Sequence, residues 1–186
     1  MLTSAKAKAI RVCVISDDLS GPPDEGVKKF TWELACALAG LVDVKLISTR
    51  GPVELPGVVH VPARKTFLSW RLWRHLRAFD PDVVIYASRG SATFFSFLRA
   101  ALLRIYHRRS KMLMFALQTR RHPRWQQMVI RALPRMLMCV QSNSNQEYLQ
   151  ALGRDCLLLP SGIDGKVFAP VSEEERRVLR ELYGLR

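Results

Sequence analysis

The sequence predicts a doubly wound α/β domain built on a parallel sheet. Short strand-like runs recur along the chain, stretches with helical apolar spacing separate them, and the runs are continuously apolar rather than alternating, as in strands covered on both faces. A chain of 186 residues with 48% hydrophobic and 24% charged residues is long enough for one such domain and too short for two of ordinary size.

The elements follow in order. Ile10–Ser16 is a β-branched strand, followed by Asp17-Asp18 and a loop holding Gly21, Pro22, Pro23 and Gly26. From Glu25 to Leu41, Val27, Phe30, Leu34, Ala37, Leu38 and Leu41 recur at three and four, which predicts a helix ended by Gly40. Strands are expected at Val42–Ser48, Val58–Val61 and Asp82–Ala87, with a helix over Phe67–Phe79 before Asp80-Pro81. A helix at Ala92–His107, a strand at Met112–Leu117, a helix at Arg124–Leu133 and a strand at Met136–Gln141 continue the alternation. Ser144 with Glu147 and Ser172 with Glu175 have capping-box spacing, and the helices they open are followed by Gly153 and Gly184. Leu157–Leu159 is a short buried strand between them.

Composition excludes several classes. No apolar run reaches the roughly 18 to 20 residues of a membrane-spanning helix, because Arg99 interrupts Ala92–Leu103. Lys6, Lys8 and Arg11 break up any signal-peptide core, so a cytoplasmic location is expected. Cys13, Cys36, Cys139 and Cys156 form no CxxC pair and sit among apolar neighbours, as reduced core thiols would. The net charge of +13 is unevenly spread. Residues 1–60 carry seven Lys+Arg against seven Asp+Glu, residues 61–140 sixteen against two, and residues 141–186 six against seven. Fourteen of the sixteen central cations are Arg, which suits bidentate contact with phosphate.

In a doubly wound domain ligands bind beyond the carboxyl ends of the strands, so the loops there hold the candidates. The first loop leads through Gly26 into a helix whose backbone N–H groups could face a phosphate, or is a plain strand-to-helix turn. It is neither GxGxxG nor a P-loop, and Asp17-Asp18 lacks the partners of a receiver domain. His122, flanked by Arg120, Arg121 and Arg124, fits either a base or hydroxyl-binding group beside phosphate-holding arginines, or a solvated basic turn. With no second ligand cluster, no metal is expected. On the helix before Pro81, Leu68, Leu72, Leu76 and Phe79 form one arc with Trp73 at its edge, while Trp70 falls among Arg71, Arg74 and Arg77. That pattern fits a core helix with a solvated basic face or an interfacial helix on an anionic membrane, and Arg99, Arg104, Arg108 and Arg109 extend the basic stripe. No helix-turn-helix, RRM or zinc-finger pattern supports nucleic acid.

Met138-Cys-Val-Gln-Ser142, Tyr148 to Gly153, Leu158-Leu-Pro-Ser-Gly-Ile-Asp164, Phe168-Ala-Pro170 and Arg176 to Leu185 together resemble the linker side of GT-B retaining glycosyltransferases, the family-4-like or group 1 enzymes. That family includes sucrose-phosphate synthases, glycogen synthases and phosphatidylinositol mannosyltransferases. Leu34-Ala-x-x-Leu38-Ala and Pro81-Asp-Val-Val-Ile-Tyr86 are similar to the family's first helix and its Pro-Asp-Val-Ile-His strand. Ser161 stands for the usual Asn, Ile163 for Val, Glu25 for the second loop glycine and Thr119 for the usual His.

The resemblance implies an acceptor-binding domain at residues 1–170 and an interdomain linker helix at 171–186, with the donor-binding domain absent from this chain. It implies transfer from a nucleotide sugar with retention and without metal, the co-substrate binding mainly to the missing domain, and an isolated domain that is inactive. His122 would be catalytic, Ser88, Arg89, Arg120, Arg121 and Ser161 would face the acceptor, and Gly26 would lie near the donor phosphate. Trp70, Arg71, Trp73, Arg74 and Arg77 would meet an anionic membrane at the inner face, where a lipid-linked or anionic acceptor is approached. The alternative is a non-catalytic basic α/β module binding an anionic membrane surface or polymer.

Overall fold

The computed structural model describes residues 10–22, 25–63, 68–89, 91–160, 162 and 170–185. Its elements are β1 (Arg11–Ser16), α1 (Gly26–Ala39), β2 (Asp43–Ser48), β3 (Val58–His60), α2 (Trp70–Phe79), β4 (Val83–Ala87), β5 (Ser91–Ala92), α3 (Phe94–Tyr106), β6 (Lys111–Phe115), β7 (Gln118–Thr119), α4 (Arg124–Ala132), β8 (Leu137–Val140), α5 (Asn143–Ala151), β9 (Asp155–Leu158) and α6 (Glu173–Leu182). Seven strands form a parallel sheet in the order β3-β2-β1-β4-β6-β8-β9, a Rossmann-like α/β arrangement. The winding reverses between β1 and β4, so their carboxyl ends frame the crevice of a doubly wound fold.

Side chains of one strand serve two cores, which is why the strands read as unbroken apolar runs. Cys13 and Ile15 pack with Leu72 and Leu76 of α2, Phe97 and Leu103 of α3, Ile130 of α4 and Leu149 of α5. Val12 and Val14 face the other way, with Ala35, Phe30, Leu34 and Leu38 of α1. This second face is incompletely covered: Leu137, Leu157 and Leu159 on and beside the β8–β9 edge are 37%, 50% and 41% exposed. The expectation of full cover on both faces therefore fails at that edge.

Local chemistry moves several boundaries. The helix expected from Phe67 begins at Trp70, because Ser69 is extended and its hydroxyl accepts from the Leu72 N–H at 3.3 Å. Leu68 thus lies outside the helix and is exposed, and Phe67 lies outside the described residues. Ser142, at the end of β8, caps α5 through the Asn145 N–H, so the expected Ser144–Glu147 box does not form. The Ser172–Glu175 box does form at α6. On α1 Ala37 points outward, and Leu41 lies beyond the helix in solvent, whereas Thr31 is buried with its hydroxyl donating to the Val27 carbonyl. Cys36 is exposed, contrary to the expectation of four core thiols. Burial pushes the Cys13 thiol up to about 12 and that of Cys156 up to about 11.

A two-stranded ladder pairs Ser91 with Gln118 and Ala92 with Thr119. It ties the loop after β4 to the loop after β6 above the sheet's carboxyl end. Arg154 closes the far end of α4, donating to the carbonyls of Ile130, Leu133 and Pro134.

Candidate functional site

At the crevice, Asp17, the residue after β1, is a buried carboxylate with three donors among the described residues. Arg99 of α3 approaches at 2.6 Å, the Tyr86 hydroxyl of β4 donates at 3.0 Å, and the Arg89 backbone N–H donates at 3.2 Å. Burial, reinforced by the Asp17 charge, pushes the Tyr86 phenol up and keeps it a neutral donor. Arg99, expected on a basic surface stripe, is therefore a core cation neutralised at the sheet end. A lone arginine inside an otherwise apolar helical run was the available signal, because a buried cation needs a carboxylate partner.

The neighbouring loops close around this pair. Asp18 accepts from the backbone N–H and hydroxyl of Ser20 at 2.9 and 2.6 Å, and it pairs with Arg89 at 3.2 Å. Burial opposes its charge, but the Ser20 hydrogen bonds and the cations of Lys28 and Arg89 hold its carboxyl below the usual range. Arg89 also reaches Glu25 at 4.0 Å. Gly51 turns at φ +65°, and a Cβ there would stand 2.5 Å from Ser20 Cβ, so only glycine lets the loops after β1 and β2 meet. Ser88 is buried and its hydroxyl donates to the Phe115 carbonyl at 3.4 Å, facing into the fold.

Gly26 opens α1 beside a cavity of about 360 Å³, lined also by Phe30, Leu117, Gln118 and Gln141. The Glu25 side chain gives no cap to the first N–H groups of α1, and the helix opens beside this space. A Cβ on Gly26 would meet nothing of the protein within 4 Å.

His122 lies at a second cavity of about 330 Å³, between the amino ends of α3 and α4, whose wall includes Phe94, Phe95, Arg120, Arg121 and Trp125. It is 6% exposed, which removes it from the solvated-turn description. Its backbone N–H donates to the Tyr148 hydroxyl at 2.9 Å and its Nδ1 lies 3.2 Å from the same oxygen, while Nε2 is enclosed with no partner among the described residues. Burial holds the imidazole below its usual value, favouring the neutral ring. Arg121 lies 4.4 Å over the Tyr148 ring, and Arg120 is exposed. The aromatic wall of Phe94, Phe95 and Trp125 had no sequence signal, because the residues are some thirty positions apart and only the β5–β7 ladder and α3–α4 packing join them.

The other expected residues lie elsewhere. Ser161 falls outside the described residues. On α2, Trp70 is 69% exposed and stacks on Trp73 with ring centres 4.2 Å apart, Arg77 lies 4.8 Å from the Trp73 ring, and Arg71 and Arg74 are exposed. Among the described residues no three His, Cys, Asp or Glu side chains converge as metal ligands, and no helix is long and apolar enough to cross a membrane.

No family model matches the chain, and no curated protein sequence does. Among solved structures, a glycosyltransferase from Rickettsia africae ESF-5 is similar over 96% of this chain and 50% of that chain, with a TM-score of 0.64 and 17% identity. The chain therefore spans about half the length of the glycosyltransferase it matches. At that identity the likeness concerns the fold, and the chain has a glycosyltransferase-like, Rossmann-like α/β fold.

Proposed function

We propose that this chain is the acceptor-binding half of a GT-B retaining glycosyltransferase of the family-4-like, group 1 type, with residues 1–170 as the domain and 171–186 as the helix leading to a donor-binding domain. The observation that carries this reading is that nearly the whole chain follows half of a glycosyltransferase. The bare apolar side of α6 supports it: Val178, Leu182 and Tyr183 are 54%, 71% and 70% exposed, as on a helix that packs against a second domain.

In the complete enzyme a nucleotide sugar would bind mainly to the second domain, whose cations would stabilise the leaving diphosphate without a metal. Gly26 and the first N–H groups of α1 would lie near the donor phosphate. The acceptor would enter the cavity beside His122, with Arg120 and Arg121 as its cationic contacts. Arg89, engaged by Asp18 and Glu25, would shape the crevice wall, and Ser88 would hold β4 to β6 rather than touch the acceptor. Neutral His122 suits a base or a group orienting the acceptor's attacking oxygen, and its Nε2 has no partner among the described residues. The chain alone would not turn over. Nucleotide-sugar consumption by the native gene product tests this. His122→Ala should lower turnover roughly a hundredfold if the ring takes the proton, and wild-type turnover would leave it a structural part.

The exposed tryptophans and arginines of α2 favour a second reading, in which the basic face rests on an anionic membrane, either as the enzyme's peripheral, cytoplasmic attachment or as the whole task of a non-catalytic module. A native chain that consumes no nucleotide sugar yet binds anionic vesicles would favour the module.

A further inference from the structure

We propose that the cavity between α3 and α4 binds a lipid phosphate, with the phosphate on Arg120 and Arg121 and the alkyl chain along Phe94, Phe95 and Trp125. This names the acceptor class of the site proposed above and rests on that reading.

The lining sets the chemistry. Two arginines border the cavity, and no carboxylate does among the described residues. Arg120 has no ion pair or hydrogen bond among the described residues, and Arg121 is held by the face of the Tyr148 ring at 4.4 Å, which leaves its guanidinium edge for an anion. The planar fork of arginine accepts two phosphate oxygens at once, so a pair of them matches a phosphate monoester.

The rest of the wall is apolar. Phe94 meets Trp125 edge to face with ring centres 5.3 Å apart, and Phe95 adjoins Phe94 at 6.1 Å. A sugar phosphate would lay its hydroxyls against these rings with only Thr93 and Gln126 as side-chain amide or hydroxyl partners, losing hydrogen bonds to water that the site does not replace. An apolar phosphate ester loses none.

The mouth separates an alkyl from an aryl ester. About 330 Å³ is at the small end of ligand cavities and holds the phosphate and the first part of a chain. The apolar wall continues past the mouth: Phe95 and Trp125 of the lining are 49% and 58% exposed, and Met128 beyond it is 68% exposed. Trp125 and Met128 stand three apart on α4, hence on the same side of the helix, and make a track along which a longer chain can run. An aryl phosphate would end inside and leave that track bare.

Titration calorimetry on this chain tests the proposal with decyl phosphate below its micelle concentration, beside decyl maltoside, 4-nitrophenyl phosphate and inorganic phosphate. Decyl phosphate should bind at least about tenfold tighter than each of the others. The double substitution Arg120→Ala, Arg121→Ala should weaken it by at least about tenfold, and Trp125→Ala by roughly fivefold. Arg135→Ala, which removes a charge beyond the other end of α4, should leave it unchanged. Equal affinity for decyl maltoside overturns the anion, equal affinity for either short phosphate overturns the lipid chain, and unchanged binding by the double variant overturns the site. Should the double variant unfold, exposed Arg120→Gln alone repeats that arm. The titration contains no sugar donor, so its failure leaves glycosyl transfer standing, and failure of nucleotide-sugar turnover leaves the titration result intact.

Discussion

Asp17 and Arg99 stand 82 positions apart in sequence and 2.6 Å apart in space, with side chains 5% and 8% exposed. Burying either charge alone is costly, so Asp17→Ala should destabilise the chain by about 3–5 kcal/mol in urea unfolding, and adding Arg99→Leu should recover a large part of the loss. A cost under about 1 kcal/mol would mean that the pair is solvated. Sequence placed Asp17 correctly at a strand end but read Arg99 as surface, because helical spacing tells which residues share a face and not which acid lies above it. His122 belongs to the same scale. Burial lowers its folded value below that of the unfolded chain, so as pH falls the unfolded chain takes up the proton first. The stability that the neutral ring contributes is complete above that value and lost as pH drops below it. His75 is shifted the same way by burial and by Lys45 and Arg74, so His122→Gln should flatten only part of the fall in Tm between about pH 7.5 and about pH 5.5. An unaltered slope would place the ring in solvent.

At the scale of elements, periodicity, apolar runs and capping spacing located the longer helices and strands among the described residues to within a few residues, while the ends followed hydrogen bonds. Ser69 rather than Phe67 starts α2, and Ser142 rather than Ser144 starts α5, because an extended residue with a hydroxyl takes the cap wherever the backbone first offers one. On α2 the arcs hold as expected for Leu72 and Leu76 inside and Arg71, Arg74 and Arg77 outside, and Trp70 stays in solvent beside Trp73. If this face is the membrane contact, replacing the three arginines with Glu should abolish sedimentation with anionic vesicles. Pelleting equal to that of the unchanged chain would free α2 of that role. The two-residue strands β5 and β7 carried no signal, since two residues have no period.

Across the whole molecule the uncovered surfaces are as informative as the cores. The carboxyl end of the sheet carries both cavities, while α6 presents apolar residues with none of its own buried. The sequence by itself determined the alternation of strands and helices, the parallel sheet, which loops follow the carboxyl ends of its strands and the concentration of positive charge in residues 61–140. These are consequences of local periodicity and composition, which each segment carries alone. The tertiary structure alone decided that Arg99 is a core cation, that His122 is buried against Tyr148, that Arg89 is bound to Asp18, and that Phe94, Phe95 and Trp125 share a wall with Arg120 and Arg121. Those facts depend on which distant segments meet, and that is set by strand order, crossover and loop pairing rather than by any residue's near neighbours.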